Sequence, residues 1–356
     1  MNINMTAESD TADNTSLLYQ WKLSNGYLLS LNLSQCNLIS DDVFRDAIDY
    51  KIQERKINDK SVNERANLCF NDTNAKFEEE ESLVQNLRNL DLSYCSGLYS
   101  SKIMGNFFRG ISLQADGTVI KKNGCINLEE INLSDLYQIL DDNLLISIAE
   151  SCPKLKTLYI SKGYDITNYS VKMILKKCKH LENLKIANCP KINFEAFNTR
   201  CVEEISNNES SNNESCDLNL RNLNVSYCRM MEDNLVKMVA ENCPYLEELH
   251  ISGCQNISDE GMKHLVSGRA WKDKRVKVID ISGCYCIGDE GIRTLTPSVL
   301  EKLDISDCSF ITDTGLRYIF EGMPFLKEIG YENCSGTSSI GRDKLQSKYD
   351  ILSKTE

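Results

Sequence analysis

The stretches "ISGCQNISDEGMKHL" (251–265), "ISGCYCIGDEGIRTL" (281–295) and "ISDCSFITDTGLRYI" (305–319) are three versions of one phrase. In each, a cysteine follows a short apolar run and an acidic residue stands five places after it. Aligning the chain on that cysteine extends the phrase in both directions. The units are "LLSLNLSQC" (28–36), "LRNLDLSYC" (87–95), "LEEINLSDL" (128–136), "LKTLYISKG" (155–163) and "LENLKIANC" (181–189). They continue as "LRNLNVSYC" (220–228), "LEELHISGC" (246–254), "VKVIDISGC" (276–284), "LEKLDISDC" (300–308) and "LKEIGYENC" (326–334). Ten copies at this similarity define a repeat, with anchors 26 residues apart from 163 to 189, 228 to 254 and 308 to 334.

Each unit reads as a strand, a turn and a helix. Apolar residues at every second position give the two-residue period of a strand whose alternate side chains point inward. The helix start is marked by a capping residue and by negative charge beside the positive end of the helix dipole. Ser258 with Asp259 and Glu260, Thr312 with Asp313, and Ser40 with Asp41 and Asp42 supply these signals. Apolar residues then recur at helical spacing, as at Leu144, Leu145, Ile148 and Ala149. Several helices close on a second cysteine: Cys152, Cys178 and Cys243. One such unit cannot bury its apolar face alone, so stacked neighbours must form the core. The length of the period is that of a leucine-rich repeat. The pattern predicts a right-handed α/β solenoid of about ten repeats, with a parallel sheet on the concave face and helices on the convex face.

Cys36, Cys95, Cys189, Cys228, Cys254, Cys284, Cys308 and Cys334 share one column, which Leu136 and Gly163 fill in the two other units. Leucine suits a packing site and cannot replace a metal ligand, so the column is read as structural. The chain has sixteen cysteines, and its polar, acidic first residues lack the apolar core of a secretory signal. No apolar run has the length of a membrane span. These features predict a cytoplasmic or nuclear protein with reduced thiols and no membrane partner. The net charge of −12 argues against nucleic acid as a partner, because phosphate binding needs clustered cations. No phosphate-binding glycine loop, nucleophile elbow or zinc-protease motif is present. With three histidines and a lone C-x-C at Cys284 and Cys286, the sequence predicts no catalytic residues, no metal and no cofactor.

The phrase L-x-x-L-x-[LI]-S-x-C-x-x-[IL]-[ST]-D-x-G resembles the cysteine-containing repeats of F-box/leucine-rich-repeat proteins and of the related antagonist-of-mitotic-exit-network proteins. The resemblance covers about residues 17–340. It implies the substrate-recognition arm of an SCF-type ubiquitin ligase, acting in ubiquitin-mediated degradation, with a Skp-type adaptor and a cullin as further partners. The residues ahead of Leu28 are too few and too polar for an F-box, and residues 41–59 read as the first repeat's own helix. The chain is therefore expected to be an F-box-less relative of the mitotic-exit type or an incomplete gene product. The alternative is a stand-alone regulator that binds a signalling or cell-cycle protein without any ligase link.

The expected organisation is a disordered tail over 1–16, a solenoid over 17–340 and a C-terminal tail over 341–356. Insertions interrupt the period near 60–84, 109–124 and 204–217. The first contains "EEEE" (78–81); the second, "ISLQADGTVIK" (111–121), reads as a hairpin around Asp116-Gly117. The third contains "SNNESSNNES" (206–215), whose polar composition predicts disorder.

A protein partner is expected on the concave face, with no catalysis involved. The residue between the last two apolar positions of each strand faces inward solvent, and this column includes Tyr159, Lys185, Asp280 and Asp304. Lys156 and Lys162 lie near its centre, Asp307 near its later part, and Tyr94 and Tyr227 just ahead of their anchor cysteines. Tyrosines and charges on such a sheet are recognition anchors. The expectation is two oppositely charged patches, one of Lys156, Lys162 and Lys185, the other of Asp280, Asp304 and Asp307.

Overall fold

A computed structural model describes residues 2–5, 13–24, 27–49, 84–113, 119–121, 124–198 and 217–352. Among these, twelve strands form one sheet, and consecutive neighbours pair in parallel. They are β1 (Asn2–Asn4), β2 (Ser30–Asn32), β3 (Asn89–Asp91), β6 (Glu130–Asn132), β7 (Thr157–Ser161) and β8 (Asn183–Ala187). The order continues through β9 (Asn222–Asn224), β10 (Glu248–His250), β11 (Val278–Asp280), β12 (Lys302–Asp304), β13 (Glu328–Gly330) and β14 (Asp350–Ile351). The register aligns equivalent residues of successive units, as in Leu223, Leu249, Ile279, Leu303 and Ile329. That alignment stacks one buried side chain per unit into a continuous row.

Helices α1 (Asn14–Leu23), α2 (Asp41–Asp49), α3 (Ser101–Arg109), α4 (Asp142–Ser151) and α5 (Asn168–Lys177) connect the first strands on the other side. Later units use α6 (Asp233–Asn242), α7 (Asp259–Ser267), the short α8 (Arg269–Lys272), α9 (Asp289–Thr294), α10 (Asp313–Gly322) and α11 (Ser339–Gln346). In the unit anchored by Cys189 a 3-10 turn, Phe194–Phe197, takes the helix's place. The core lies between sheet and helices, and includes Leu144, Leu145, Ile148 and Ala149 as well as the capping cysteines Cys152, Cys178 and Cys243.

The recurring D-x-G of the phrase has a cause that joins neighbouring units. Asp259, the first residue of α7, accepts hydrogen bonds through one carboxylate oxygen from the Gly288 N–H (2.8 Å) and the Gly291 N–H (3.0 Å) of the next unit. Asp233 treats Ser258 and Gly261 the same way, and Asp289 treats Thr312 and Gly315. In these units the first residue of one helix thus satisfies orphan N–H groups at the start of the next. The glycine is required by closeness: a Cβ on Gly261, Gly291 or Gly315 would stand 2.7, 2.5 and 2.5 Å from that carboxylate. Asp142 with Thr167 and Asn14 with Ser40 are further rungs of the same ladder.

The cysteine column forms a second ladder. The thiols of Cys95, Cys228, Cys254, Cys284, Cys308 and Cys334 donate to the carbonyl that closes the preceding strand, at 2.8 to 3.3 Å. Cys36 donates to Met5 in the same way, whereas Cys189 turns to Ala187 of its own unit. Gly163 fills the column for a steric reason, because a Cβ there would run into Ile166 and come within 3.1 Å of the Cys189 sulfur.

Two boundaries differ from the sequence reading. The polar start, expected to be a disordered tail over 1–16, supplies strand β1, with Ile3 and Met5 buried. The expected C-terminal tail over 341–356 supplies most of α11 and strand β14, with Leu345 and Tyr349 buried. Both segments cover the open faces of a stack whose end units would otherwise expose core. At the first end Trp21, Phe44 and Phe107 meet edge to face, with centroids 5.1 to 6.2 Å apart. The expected hairpin is present as β4 (Ile111–Leu113) paired antiparallel with β5 (Val119–Lys121), while Asp116-Gly117 lies outside the described residues. The EEEE run, the SNNESSNNES run and residues 50–59 of the expected first helix also lie outside them.

Candidate functional site on the inner sheet face

The inner column proves to be mostly committed to holding the fold. Asn32, Asp91, Asn132, Asn224, Asp280 and Asp304 each bend a side-chain oxygen onto the backbone N–H two residues ahead, at 2.9 to 3.1 Å. This local bond offers the backbone an alternative to further pairing and begins the turn. The residue ahead of the anchor position is then left-handed in all ten units. It is Gln35, Tyr94, Asp135, Lys162, Asn188, Tyr227, Gly253, Gly283, Asp307 and Asn333, with φ between 55° and 69°. Eight of these carry a side chain in a region that costs about 1–2 kcal/mol per residue, so the surrounding bonds must outweigh that cost. Tyr94, Lys162, Tyr227 and Asp307 are therefore turn positions first, although Tyr94 and Tyr227 remain 52% and 59% exposed.

The expected charge patches do not form as free surfaces. Lys156 pairs with Glu129 at 2.7 Å, and Lys162 pairs with Asp135, whose hydrogen bond raises the Lys162 pKa. Asp304 caps its own turn and lies over Gly330, where a side chain would collide with it. Asp307 accepts from Asn333 at 2.9 Å. Asp280 caps Ser282 and faces His250, whose Nδ1 is 3.8 Å from its carboxylate. Lys156 belongs to a rim column that alternates in sign: Arg88, Glu129, Lys156, Glu182, Arg221, Glu247, Lys277, Glu301, Lys327. Stacking places opposite charges side by side, as in Arg221 between Glu182 (3.6 Å) and Glu247 (2.5 Å).

Three inner positions in the middle of the sheet escape the capping role: Tyr159, Lys185 and His250. In the units of Tyr159 and Lys185 the strands β7 and β8 run five residues instead of three. Together with Asn132, Ser134, Asn222 and Asn224 these side chains line a hollow of ≈ 290 Å³. Lys185 is exposed and has no side-chain partner among the described residues. Burial opposes a charge on His250, but hydrogen bonds and attraction from Asp280 and Glu248 outweigh it and raise its pKa. Burial also favours neutral Asp280, and His250 with the Ser282 bonds reverses that and lowers its pKa. Burial, with Glu130 and Glu248 nearby, holds the Tyr159 phenol neutral. Of the residues singled out in the sequence, Tyr159 and Lys185 meet here and Asp280 flanks His250, while Tyr94, Tyr227, Lys156, Lys162, Asp304 and Asp307 do not line the hollow. His250 holds the same inner position in "LEELHISGC" (246–254) but carries no distinguishing signal along the chain, since its carboxylate partners come from its own strand and the next.

Burial keeps the thiols of the cysteine column protonated. Burial pushes the thiols of Cys95, Cys189, Cys254 and Cys308 up to about 12 and those of Cys228 and Cys334 to about 11. Cys286 is exposed. Among the described residues no group of three acidic, histidine or cysteine side chains could hold a metal, and no helix is long and apolar enough to cross a membrane.

The leucine-rich-repeat family description matches residues 242–266 and 296–320. The chain carries leucine-rich repeats. An F-box/LRR-repeat protein of Arabidopsis thaliana is 33% identical over 144 residues, 38% of this chain and 28% of its own length. The DNA repair protein rhp7 of Schizosaccharomyces pombe is 26% identical over 288 residues, 76% of this chain and 48% of that protein. The Arabidopsis F-box protein SKIP1 is 25% identical over 170 residues, 39% of this chain and 56% of that protein. The chain thus spans between a quarter and just over half of these relatives. A solved structure of Rad7 with Elc1 from yeast covers 96% of this chain and 88% of its own at 13% identity, with a TM-score of 0.34.

Proposed function

We propose that the protein is a non-catalytic scaffold that holds a partner protein against the middle of its inner sheet face, in the manner of an SCF-type substrate-recognition arm. The observation that carries this reading is the loss of the turn cap at Tyr159, Lys185 and His250. Fold maintenance accounts for the Asn and Asp side chains around them and for the pairing of His250 with Asp280, and leaves Tyr159 and Lys185 without such a role. An aromatic ring, an unpaired ammonium and a titratable imidazole beside amide side chains suit a polar protein surface. The exposed Tyr94 and Tyr227 extend the same face, and the F-box relatives support a ligase setting with a Skp-type adaptor and cullin.

A second reading rests on the relative matched over 288 residues, whose name places it in DNA repair. There the chain would bind a protein as one subunit of a repair assembly, with or without a ligase link. Affinity purification of the full chain from native lysate, beside the Tyr159→Ala/Lys185→Glu variant, tests both. Recovery of an adaptor and cullin, together with a further protein lost from the variant, supports the ligase arm. Recovery of repair proteins alone supports the second reading. A partner set unchanged in a folded variant removes the inner face from the function.

A further inference from the structure

Beyond Cys228 the repeat length departs from 26 at one place. Equivalent residues lie 30 apart from Ser252 to Ser282 and 24 apart from Cys284 to Cys308, against 26 on either side. The long unit spends its surplus on α8, which continues past the end of α7. The short unit has only the six-residue α9. A short unit between a long one and a regular one leaves a notch along the edge where the strands begin.

The notch is a groove of ≈ 340 Å³ lined by Trp271, Val276, Pro297, Val299, Pro324 and Phe325, with Lys272, Lys274 and Ser298. Its size falls within the range of ligand pockets. Phe325 is 59% exposed, and Pro297 and Pro324 are exposed beside it, a cluster the solenoid core does not need. Lys272 and Lys274 are exposed and have no side-chain partner among the described residues, although the protein as a whole is acidic. Nearby cations are spoken for: Arg269 pairs with Asp217, Arg275 with Asp273, and Lys277 with Glu301. Among the described residues no carboxylate lines the groove. Ser298, only 9% exposed, lines it too, and its hydroxyl has no hydrogen-bond partner among the described residues. A buried hydroxyl without a partner needs an explanation, and a ligand's carbonyl is one.

We propose that this groove docks an acidic peptide segment of a partner protein, seating one apolar side chain against Trp271 and Phe325 between the two lysines. The surface is separate from the inner sheet face and does not depend on the function proposed for it. Selection of phage-displayed random peptides on the full chain tests it, followed by titration of a selected peptide against Trp271 fluorescence. The expected result is enrichment of peptides with an apolar residue flanked by Asp or Glu. Their affinity should fall about tenfold or more in Lys272→Glu/Lys274→Glu, and the reversed variant should instead enrich basic flanks. Lys185→Glu, on the inner face, should leave it unchanged. Absence of acidic enrichment, or binding untouched by the reversal and by Phe325→Asp, overturns the proposal. So does self-association of the chain abolished by Phe325→Asp, which would make a second copy the occupant.

Discussion

At the residue scale, the pair of Asp259 and Gly291 condenses the repeat into one contact. Gly291→Ala should destabilise the chain by about 1–3 kcal/mol through overpacking, despite alanine's better helix propensity. Asp259→Ala should cost about 2 kcal/mol by freeing two N–H groups at the next helix start. In the double variant the clash disappears, so denaturant titration should give less than the sum of the two losses. His250 supplies a pH signature. Its pKa is raised above the 6.5 reference, so its stabilising contribution is complete below 6.5 and fades as pH rises through the folded value. Asp280 is lowered below 3.8, so its contribution is complete above 3.8 and fades as pH falls through the folded value. The stability gap between the native chain and His250→Gln should therefore be widest between those references and narrow towards alkaline pH. A gap that widens from pH 6 to pH 9 would contradict this pairing.

At the scale of the element, the strand rim and the cysteine column are ladders running across units. Glu301 sits between Lys277 (3.6 Å) and Lys327 (2.5 Å), so Glu301→Lys places three cations in a row. The melting temperature of that variant should fall at low ionic strength and recover much of the difference in high salt, because exposed pairs are screened. The thiols behave differently because they are buried donors. Brief labelling of the folded protein, read by mass spectrometry, should modify Cys286 and leave Cys95, Cys228, Cys254, Cys284, Cys308 and Cys334 unmodified until denaturant is added. Rapid native labelling anywhere in that column would refute its packing role.

On the scale of the whole molecule, stability in a stacked array is close to a sum of units and nearest-neighbour interfaces. Disturbing one end should therefore stay local. Ile3→Asp/Met5→Asp puts charges where β1 meets β2 and should lower amide protection in β2 and α2. Protection in β10 to β13 should hold. Loss of protection along the whole sheet would show a single cooperative unit instead. The same additivity explains why a four-residue surplus and a following deficit can sit in the middle of the stack: the register of the strands is kept on both sides, and the edge alone records the mismatch.

The sequence by itself determined the repeat, the strand of each unit and the helix of all but the unit anchored by Cys189, the burial of the cysteine column and the hairpin of the second insertion, because these depend on periods of two and 3.6 and on local capping. It did not disclose the end strands. "NIN" (2–4) and "DI" (350–351) are too short to have a period, and only an unpaired neighbouring strand makes them strands. Nor could it separate free charges from committed ones. Lys156, Lys162 and Lys185 look alike along the chain, yet stacking pairs the first with Glu129, the second with Asp135 and leaves the third open. Charge in a solenoid is settled by the unit next door, a neighbour some 26 residues away, as Lys327 is from Glu301. That distance is why the inner hollow and the edge groove belong to the tertiary structure alone.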